Sequence, residues 1–174
     1  KNAWGDNYIT NINKLREAVN ETSGEYLVYE GEVIDAMFFS TSNGYTEDVL
    51  TVFNIDLPYL QSVKSAWDED TSSAFRSSKV ISASTFYDNL GIAYSDTLNV
   101  KVKRRSSTNR IIDININGND FSGRDLYNKL GLKSTDFSLK QVGDNIVINT
   151  TGYGHGVGMS QYGALGMARE GYTY

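Results

Sequence analysis

Glycine recurs at every second position around the only histidine of the chain. The run reads Gly-Tyr-Gly-His-Gly-Val-Gly-Met-Ser-Gln-Tyr-Gly over residues 152–163. Because glycine has no Cβ, the main chain of such a segment can approach another molecule closely. If the segment is extended, Tyr153, His155 and Val157 project to one face, and the other face carries no side chains. The run therefore predicts a segment that holds a ligand against backbone, with His155 contacting the ligand, orienting another group or stabilising a tight turn.

The residues after this run change to a helical spacing. Met159, Tyr162 and Leu165 recur every three residues, which predicts a helix over roughly residues 160–170. Ser160 stands at its start, where a hydroxyl can accept a hydrogen bond from the first turn as an N-cap. We therefore expect the glycine-rich run to lead directly into a helix.

Composition limits the classes of function. The chain has 174 residues, of which 40% are hydrophobic, so we expect one core and a single domain over residues 1–174. The net charge of −5 argues against a nucleic-acid partner, because phosphate binding needs a basic field. The absence of cysteine excludes disulfides, thiolate zinc sites and a cysteine nucleophile. A lone His155 cannot build a zinc site, so no metal and no cofactor are expected.

Two further patterns bear on partners. No apolar run reaches the roughly 18 residues needed to cross a bilayer, and no signal peptide opens the chain. The basic residues form one cluster in and beside a hairpin, namely Lys101, Lys103, Arg104, Arg105 and Arg110. We interpret this cluster as a solvated strand edge rather than as a binding patch.

Strand and helix patterns follow each other in mixed order. The predicted strands are 26–29, 33–39, 98–103, 111–116 and 146–148. The predicted helices are a short one on the stripe Ile12, Leu15 and Val19, then 82–90 and 122–130, with residues 68–78 as a loop. The strand over 33–39 becomes wholly apolar at Ala36, so we expect it at the centre of a sheet. This order predicts an α+β fold with a mixed, largely antiparallel sheet, hairpins and several short helices.

A polar turn over residues 40–47 follows that strand. It brings hydroxyls, an amide and a carboxylate together at a strand end, which is a common place for a site. Ser42 with His155 could supply two members of a nucleophilic triad, and Glu47 could be a general acid if burial raises its pKa. The alternative is that Ser42 and Asn43 form turn hydrogen bonds while Glu47 caps the next segment.

Several of these motifs, in order and spacing, resemble the stage II sporulation protein D family. The matching segments are 18–24, 29–31, Ala36, 40–47, 58–63 and 152–167. The match spans nearly the whole chain, and its closing motif is long and specific. The resemblance implies a lytic transglycosylase that cleaves peptidoglycan glycan strands between mother cell and forespore during engulfment. It also implies partnership with an amidase that removes stem peptides and with membrane scaffold proteins, and a membrane anchor outside this chain.

The chemistry that the resemblance implies needs one carboxyl group and no metal. That group protonates the glycosidic oxygen and then, as a carboxylate, removes the proton of the muramic C6 hydroxyl, which closes a 1,6-anhydro ring. Family members carry this glutamate in an upstream helix, and no such segment precedes Lys1. Glu17 aligns with a later part of the family and does not take the role. We therefore expect the chain to be incomplete at both ends, with its catalytic acid outside it.

Candidate ligand-binding residues come from the turn and from the glycine-rich run. They are Ser42, Asn43, Tyr153, Gly154, His155, Ser160 and Gln161. We expect them to bind sugar hydroxyls and N-acetyl groups or to orient the missing glutamate. Two other classes remain open, namely a non-catalytic protein that binds glycan or enhances an amidase, and a serine hydrolase using Ser42 and His155.

Overall fold

A computed structural model describes residues 4–174. The chain forms two compact units, Lys1–Asp35 and Ala36–Tyr174. Helices and short, mostly antiparallel strands alternate within them, which confirms the predicted α+β class. The extent of a single domain over residues 1–174 stays a prediction.

The described residues contain six α-helices and ten β-strands. The helices are α1 (Tyr8–Glu21), α2 (Val49–Phe53), α3 (Asp68–Thr71), α4 (Ala83–Leu90), α5 (Gly123–Leu130) and α6 (Gln161–Arg169). The strands are β1 (Val28–Tyr29), β2 (Glu32–Val33), β3 (Phe38–Phe39), β4 (Arg76–Ser82), β5 (Val100–Arg105), β6 (Ile111–Ile116), β7 (Asn119–Ser122), β8 (Phe137–Val142), β9 (Asn145–Thr151) and β10 (Met159–Ser160).

The first unit holds α1 and the hairpin of β1 and β2. The hairpin was predicted, and its turn residues Glu30 and Gly31 have positive φ of 52° and 86°, as a type I′ turn requires. The first helix was predicted to be short, which is wrong, because α1 extends over 14 residues. Its apolar stripe is not buried within this unit, and Val19 is 66% exposed. The helix is therefore longer than the apolar stripe that predicted it.

The second unit contains two antiparallel three-stranded sheets. Their strand orders are β4-β9-β8 and β5-β6-β7. Helices α4 and α5 pack with these sheets around the main core. The fully buried members of this core are Phe86, Tyr87, Ile114, Ile116, Leu126, Leu130, Ile146 and Ile148. Ile146 and Ile148 of β9 and Ile114 and Ile116 of β6 alternate into the core, as period-two patterning predicts, whereas the buried Ile111 at the start of β6 breaks the pattern.

The caps of the two core helices were predicted and are confirmed. Ser82 Oγ accepts a hydrogen bond from Thr85 N at 3.1 Å, and α4 ends at Gly91 with φ of 72°. Ser122 forms a capping box with Asp125 at the start of α5. The hairpin of β5 and β6 is also confirmed. The predicted loop over 68–78 is wrong, since α3 and the start of β4 lie within it.

The predicted central strand over 33–39 is also wrong. Within this range Val33 ends β2, and only Phe38 and Phe39 form β3, which pairs in parallel with β10 rather than with either large sheet. Phe38 is 59% exposed while Phe39 is 4% exposed, so the apolar run is buried on one side only. Hydrophobicity alone did not distinguish a short strand beside the glycine-rich run from a strand in the middle of a sheet.

The polar turn and the glycine-rich run lie side by side in the second unit. Thr41 N donates to Tyr153 O at 2.9 Å, and Tyr153 N donates to Thr41 O at 2.7 Å. Further along, Glu47 N donates to Gly156 O at 2.7 Å. The helix predicted after this run is confirmed as α6, with Ser160 as its N-cap. Backbone pairing therefore brings the two motifs that the sequence marked into one place.

Candidate functional site

The glycines of the run permit two segments of backbone to pack closely. Every second residue from Gly152 to Gly158 has positive φ, so the run is not a regular extended strand. A Cβ on Gly158 would lie 2.1 Å from Met37 O, which no side chain tolerates. The single face expected for alternate side chains is not formed, because Val157 is fully buried while Tyr153 is 44% exposed. The run is therefore closely packed against its own chain.

His155 is fixed by hydrogen bonds on both ring nitrogens. Val157 N donates to Nδ1 at 3.1 Å, so Nδ1 is an acceptor and carries no proton. The proton is then on Nε2, which lies 3.1 Å from Phe38 O and donates to it. Burial lowers the pKa of His155 below its ordinary value of 6.5, and the nearby Arg110 and Arg124 charges act in the same direction. The imidazole is therefore a neutral ring with one set tautomer.

A cavity of about 460 Å³ lies beside His155. Helices α2 and α5, the start of β6 and the glycine-rich run form its walls. The residues that line it are Glu47, Thr51, Val52, Phe53, Ser106, Arg110, Ile111, Ile112, Ser122, Arg124, Tyr127, Thr135, Gly154 and His155. The cavity combines apolar walls with one carboxylate and two guanidinium groups, a lining typical of a small-molecule or sugar site.

Glu47 is the carboxyl group of this cavity. It is 2% exposed, and Ser106 Oγ donates to its Oε1 at 2.8 Å. Desolvation raises the pKa of Glu47 above its ordinary value of 4.5, while the Ser106 hydrogen bond and the Arg110 charge lower it. The expected cap role is wrong, because Asp48 caps α2 by accepting from Thr51 N at 3.1 Å. Glu47 is therefore buried, the condition on which a general-acid role was predicted, and the role itself stays a prediction.

Arg110 is a buried cation for whose guanidinium group the described part of the chain supplies no hydrogen-bond partner. The residue is 3% exposed, and none of its guanidinium nitrogens has a partner among residues 4–174. Its Nε lies 3.9 Å from Glu47 Oε1, which is an ion pair without a hydrogen bond. Burial lowers the pKa of Arg110, against the charges of Glu47 and Asp136. The interpretation of the basic cluster as a solvated edge is therefore wrong for Arg110.

Phe53 forms an aromatic wall between two other cavity residues. Its ring centroid lies 5.4 Å from that of His155, and Arg124 Cζ lies 5.6 Å from the same ring. Tyr127 lines the cavity from α5. Ring faces of this kind pack against the apolar faces of sugars, and guanidinium groups bind oxygens beside them.

Ser42 and Ser160 lie together at Asp68 and are not among the residues that line the cavity. Asp68 is fully buried and accepts from Ser42 N at 2.7 Å, from Ser65 Oγ at 2.7 Å and from Ser160 Oγ. Ser42 Oγ donates to Ser65 O at 2.8 Å. Since both ring nitrogens of His155 bind backbone, Ser42 has no base there, and the pair does not form a serine-hydrolase site.

The other predicted residues are distributed around the site. Asn43 Nδ2 donates to Thr108 O at 2.7 Å and to Asp136 Oδ2 at 2.8 Å, so it joins the turn to two neighbouring segments. Tyr153 and Gln161 are exposed. Of the predicted binding residues, only Gly154 and His155 line the cavity. A binding role for each of them stays a prediction.

Sequence reasoning missed most of the cavity wall, including Phe53, Arg124 and Tyr127. Arg110 carried no usable signal, because it precedes β6 and the buried Ile111 breaks the period-two spacing of Ile114 and Ile116. Phe53, Arg124 and Tyr127 lie on short helices, and no motif marks them. Residues 4–174 include no group of three His, Cys, Asp or Glu placed to bind a metal ion. In the same range, no helix combines the length and apolar character of a membrane span.

Comparison with known proteins extends the motif resemblance to the whole chain. The chain is 44% identical over 174 residues, 99% of its length, to stage II sporulation protein D of Bacillus subtilis (strain 168). It is 44% identical over 173 residues to stage II sporulation protein D of Bacillus amyloliquefaciens. The chain spans 50% of each of these relatives, which is about half their length. A match of 27% identity covers 98% of the chain and 31% of the amidase enhancer of Bacillus subtilis.

No family model matches the chain. The similarity to the two sporulation proteins nonetheless includes every segment on which the motif resemblance was based. Over 99% of its length, this chain is therefore homologous to stage II sporulation protein D, which confirms the resemblance predicted from its motifs.

Proposed function

We propose that this chain is the glycan-binding part of a peptidoglycan lytic transglycosylase that acts in sporulation. The observation that carries the proposal is the cavity of about 460 Å³, which combines a buried carboxyl group, buried cationic charge and an aromatic wall. Homology to stage II sporulation protein D supports it. We propose cleavage between N-acetylmuramic acid and N-acetylglucosamine, with formation of 1,6-anhydro ends.

The reaction needs one carboxyl group that acts twice. As an acid, it donates a proton to the oxygen that joins muramic C1 to the next sugar, and the C1–O bond breaks. As a carboxylate, it accepts the proton of the muramic C6 hydroxyl, whose oxygen then bonds to C1. The product is a 1,6-anhydro ring, and no water is consumed. The motif resemblance assigns this carboxyl group to a helix upstream of Lys1, and we propose that such a helix completes the site.

Within the chain, each cavity residue has a defined part in this proposal. The ring of Phe53 packs against a sugar face, and Arg124 beside it binds sugar oxygens. His155, held neutral, keeps Phe38 and the glycine-rich run in place beside the cavity. Glu47 balances part of the Arg110 charge from 3.9 Å. Glu47 is also the one cavity carboxyl that could act as the acid without an upstream helix.

Mass spectrometry of peptide-free glycan strands tests the proposal. Strands are incubated with this chain and, in parallel, with a version extended upstream through the next helix. Anhydro-muramic ends from the extended version alone are expected. Such ends from the chain alone would instead assign the acid to Glu47, and Glu47→Gln would then abolish them. Glu69→Gln, which alters an exposed carboxyl paired with Arg76, is the matched control.

A second function is favoured by the similarity to the amidase enhancer. In this alternative, the domain binds glycan strands without cleaving them and raises the activity of an amidase. Stimulation of amidase turnover by both protein versions, with no anhydro product from either, would support the alternative and contradict the transglycosylase.

Location and partners follow from the proposed function. We propose that the protein acts outside the cytoplasm, between the mother-cell and forespore membranes, and is held by an anchor outside this chain. Its partners would then be glycan strands, an amidase that removes stem peptides, and membrane scaffold proteins. Co-purification of an extended protein with membranes, compared with this chain alone, tests the anchor.

A further inference from the structure

The two carboxyl oxygens of Glu47 have different surroundings. Oε1 accepts from Ser106 Oγ at 2.8 Å and lies 3.9 Å from Arg110 Nε. Oε2 accepts no hydrogen bond from residues 4–174, and the fully enclosed side-chain polar atoms that lack a partner in this range belong only to Asn43 and Arg110. Oε2 is therefore accessible. Since Glu47 lines the cavity, Oε2 is the carboxyl atom that a ligand in the cavity can reach.

Ser106 determines which oxygen of Glu47 can carry a proton. A serine hydroxyl has one hydrogen to donate and two lone pairs with which to accept. Thr108 N and Arg110 N donate to Ser106 Oγ at 3.3 and 3.2 Å, and the hydroxyl hydrogen is donated to Glu47 Oε1. A proton on Oε1 would find no acceptor at Ser106, so a protonated Glu47 carries its proton on Oε2. The cavity therefore meets an acceptor when Glu47 is ionised and a donor when it is protonated.

The cavity lining around this oxygen matches the parts of an acetamido group. Glu47 is the only carboxyl group among the lining residues, which also include the apolar side chains of Val52, Ile111 and Ile112. An acetamido group has an N–H that can only donate and a methyl group that packs against apolar side chains. A sugar hydroxyl, in contrast, can turn and accept from a protonated carboxyl group. An open carboxylate beside apolar walls is therefore suited to an acetamido N–H.

We propose that Glu47 Oε2 accepts a hydrogen bond from an acetamido N–H of the ligand, and that Ser106 confines the proton of Glu47 to this atom, so that protonation blocks the contact. The inference rests on the proposed glycan function, because both sugars of a glycan strand carry an acetamido group. Glu47 is thus a specificity-determining residue for N-acetylated sugars, and Ser106 is a positioning residue that acts through it.

The surroundings of Glu47 set the direction of the pH dependence. Desolvation raises its pKa above the ordinary value of 4.5, and the charge of Asp48 acts in the same direction. The hydrogen bond from Ser106 and the charge of Arg110 lower it. Because only the ionised form accepts the N–H, the affinity for the ligand is highest above the folded pKa and falls as pH decreases toward 4.5.

A matched pair of uncharged ligands tests the inference on the 174-residue chain. N,N′-diacetylchitobiose has acetamido groups, and cellobiose has the same β-1,4 linkage with hydroxyls in their place. Chemical-shift titration measures both dissociation constants in a pH series from 4.5 upward, and the carboxyl carbon resonance of Glu47 reports its protonation. We expect protonation to weaken diacetylchitobiose binding about tenfold to hundredfold, the range for a hydrogen bond to a charged group, and to change cellobiose binding little.

Variants assign the effect. Glu47→Gln should bind diacetylchitobiose at every pH as weakly as the protonated wild-type chain, because Ser106 holds the amide oxygen and the amide nitrogen faces the cavity. Any pH dependence that comes from Arg124 or His155, which also line the cavity, persists in this variant. Ser106→Ala should move the midpoint of the affinity curve to higher pH, and Ser106→Thr should restore it. Ser138→Ala, which alters an exposed serine of β8, is the matched control.

The possible results separate the inference from the proposed function. A pH-independent affinity of the wild-type chain for diacetylchitobiose overturns the Glu47 contact but leaves glycan binding in place. The same pH dependence with cellobiose overturns the acetamido assignment, and an unchanged midpoint in Ser106→Ala overturns the positioning role. Binding of neither disaccharide nor of glycan strands at any pH overturns the glycan function and the inference with it.

A pH dependence that is confined to diacetylchitobiose and absent from Glu47→Gln supports both. If Glu47→Gln does not fold, the pH series of the two disaccharides on the wild-type chain decides the question.

Discussion

Asp68→Ala is the substitution expected to disturb the site most without touching its lining. The Asp68 carboxylate is fully buried and accepts hydrogen bonds from Ser42 N, Ser65 Oγ and Ser160 Oγ. These donors come from the polar turn, the segment before α3 and the start of α6. Alanine removes all the acceptors at once and leaves the donors buried.

The magnitude follows from the number and kind of bonds lost. A hydrogen bond to a charged group contributes about 1.5–3 kcal/mol, and a buried donor left unpaired costs about 1–3 kcal/mol. The hydroxyls of Ser65 and Ser160 can rotate to other acceptors, so the total loss of stability is smaller than that of three complete hydrogen bonds. We expect the free energy of unfolding to fall by about 3–5 kcal/mol, and Tm to fall by about 10 °C for a chain of this size.

Thermal and urea unfolding followed by Trp67 fluorescence measure this loss, because Trp67 precedes Asp68. The chain has two tryptophans, so Trp4→Phe in the background leaves Trp67 as the only reporter. Asp70→Ala is the matched control, since Asp70 is an exposed aspartate of the same helix. A Tm for Asp68→Ala within about 2 °C of the Asp70→Ala value would refute the reasoning, because surface substitutions cost at most about 0.5 kcal/mol.

Three further substitutions test the packing and the titrating groups. Gly158→Ala should cost about 2–4 kcal/mol, since Gly158 has φ of 81° and its Cβ would lie 2.1 Å from Met37 O. Gly171→Ala, at φ of 89° with open space around it, should cost only about 1 kcal/mol, and equal urea midpoints for the two variants would contradict the close contact. The folded-state pKa of Glu47 is raised, so the stability that its protonated carboxyl contributes is fully present below pH 4.5 and is lost as pH rises through the folded pKa. Glu47→Gln should remove this pH-dependent decline of the urea midpoint. The pKa of His155 is lowered, so the stability that its neutral ring contributes is present above pH 6.5 and is lost as pH falls through the folded pKa. His155→Gln should flatten the pH dependence of the urea midpoint there, and an unchanged slope would count against a half-buried neutral imidazole.

Local signals predicted the elements that have their own start and stop residues. Helices α4 and α5 were placed correctly because a serine N-cap and a terminal glycine act within a few residues of each other. The hairpin of β5 and β6 followed from period-two alternation. Each of these features depends on neighbours in sequence, so each can be predicted without knowing the tertiary fold.

Elements whose partners are distant in sequence were not predicted well. β3 was expected at the centre of a sheet, but it pairs with β10, some 120 residues later. The start of β4 lay within the predicted loop over 68–78, because Arg76, Ser77 and Ser78 do not form an apolar pattern. It is a strand because it pairs with β9 over its whole length. Strand pairing across such distances is decided by the partner and not by the local residues.

In the candidate site too, the local sequence predicted some features and distant contacts set the others. The turn over residues 40–47 and the run over 152–163 were identified from sequence as belonging to a site, and backbone pairing brings them together. The glycines were expected to face a ligand, which stays a prediction, and Gly158 and Gly154 also permit close contact with Met37 and Phe39 of the same chain. A glycine pattern indicates that the backbone lies close to another group, but it does not indicate whether that group belongs to a ligand or to the same chain.

The order of residues was enough to predict the α+β class, the caps of the core helices, the homology that its motifs indicate, and two segments expected in a site. The chemistry of the candidate site depends on the tertiary structure. The fold buries Glu47 and Arg110 beside one cavity, pairs both nitrogens of His155 with backbone, and leaves the guanidinium without an acceptor among residues 4–174. Charge, pKa and hydrogen-bond satisfaction depend on what surrounds a group in space, and residues far apart in sequence supply those surroundings here.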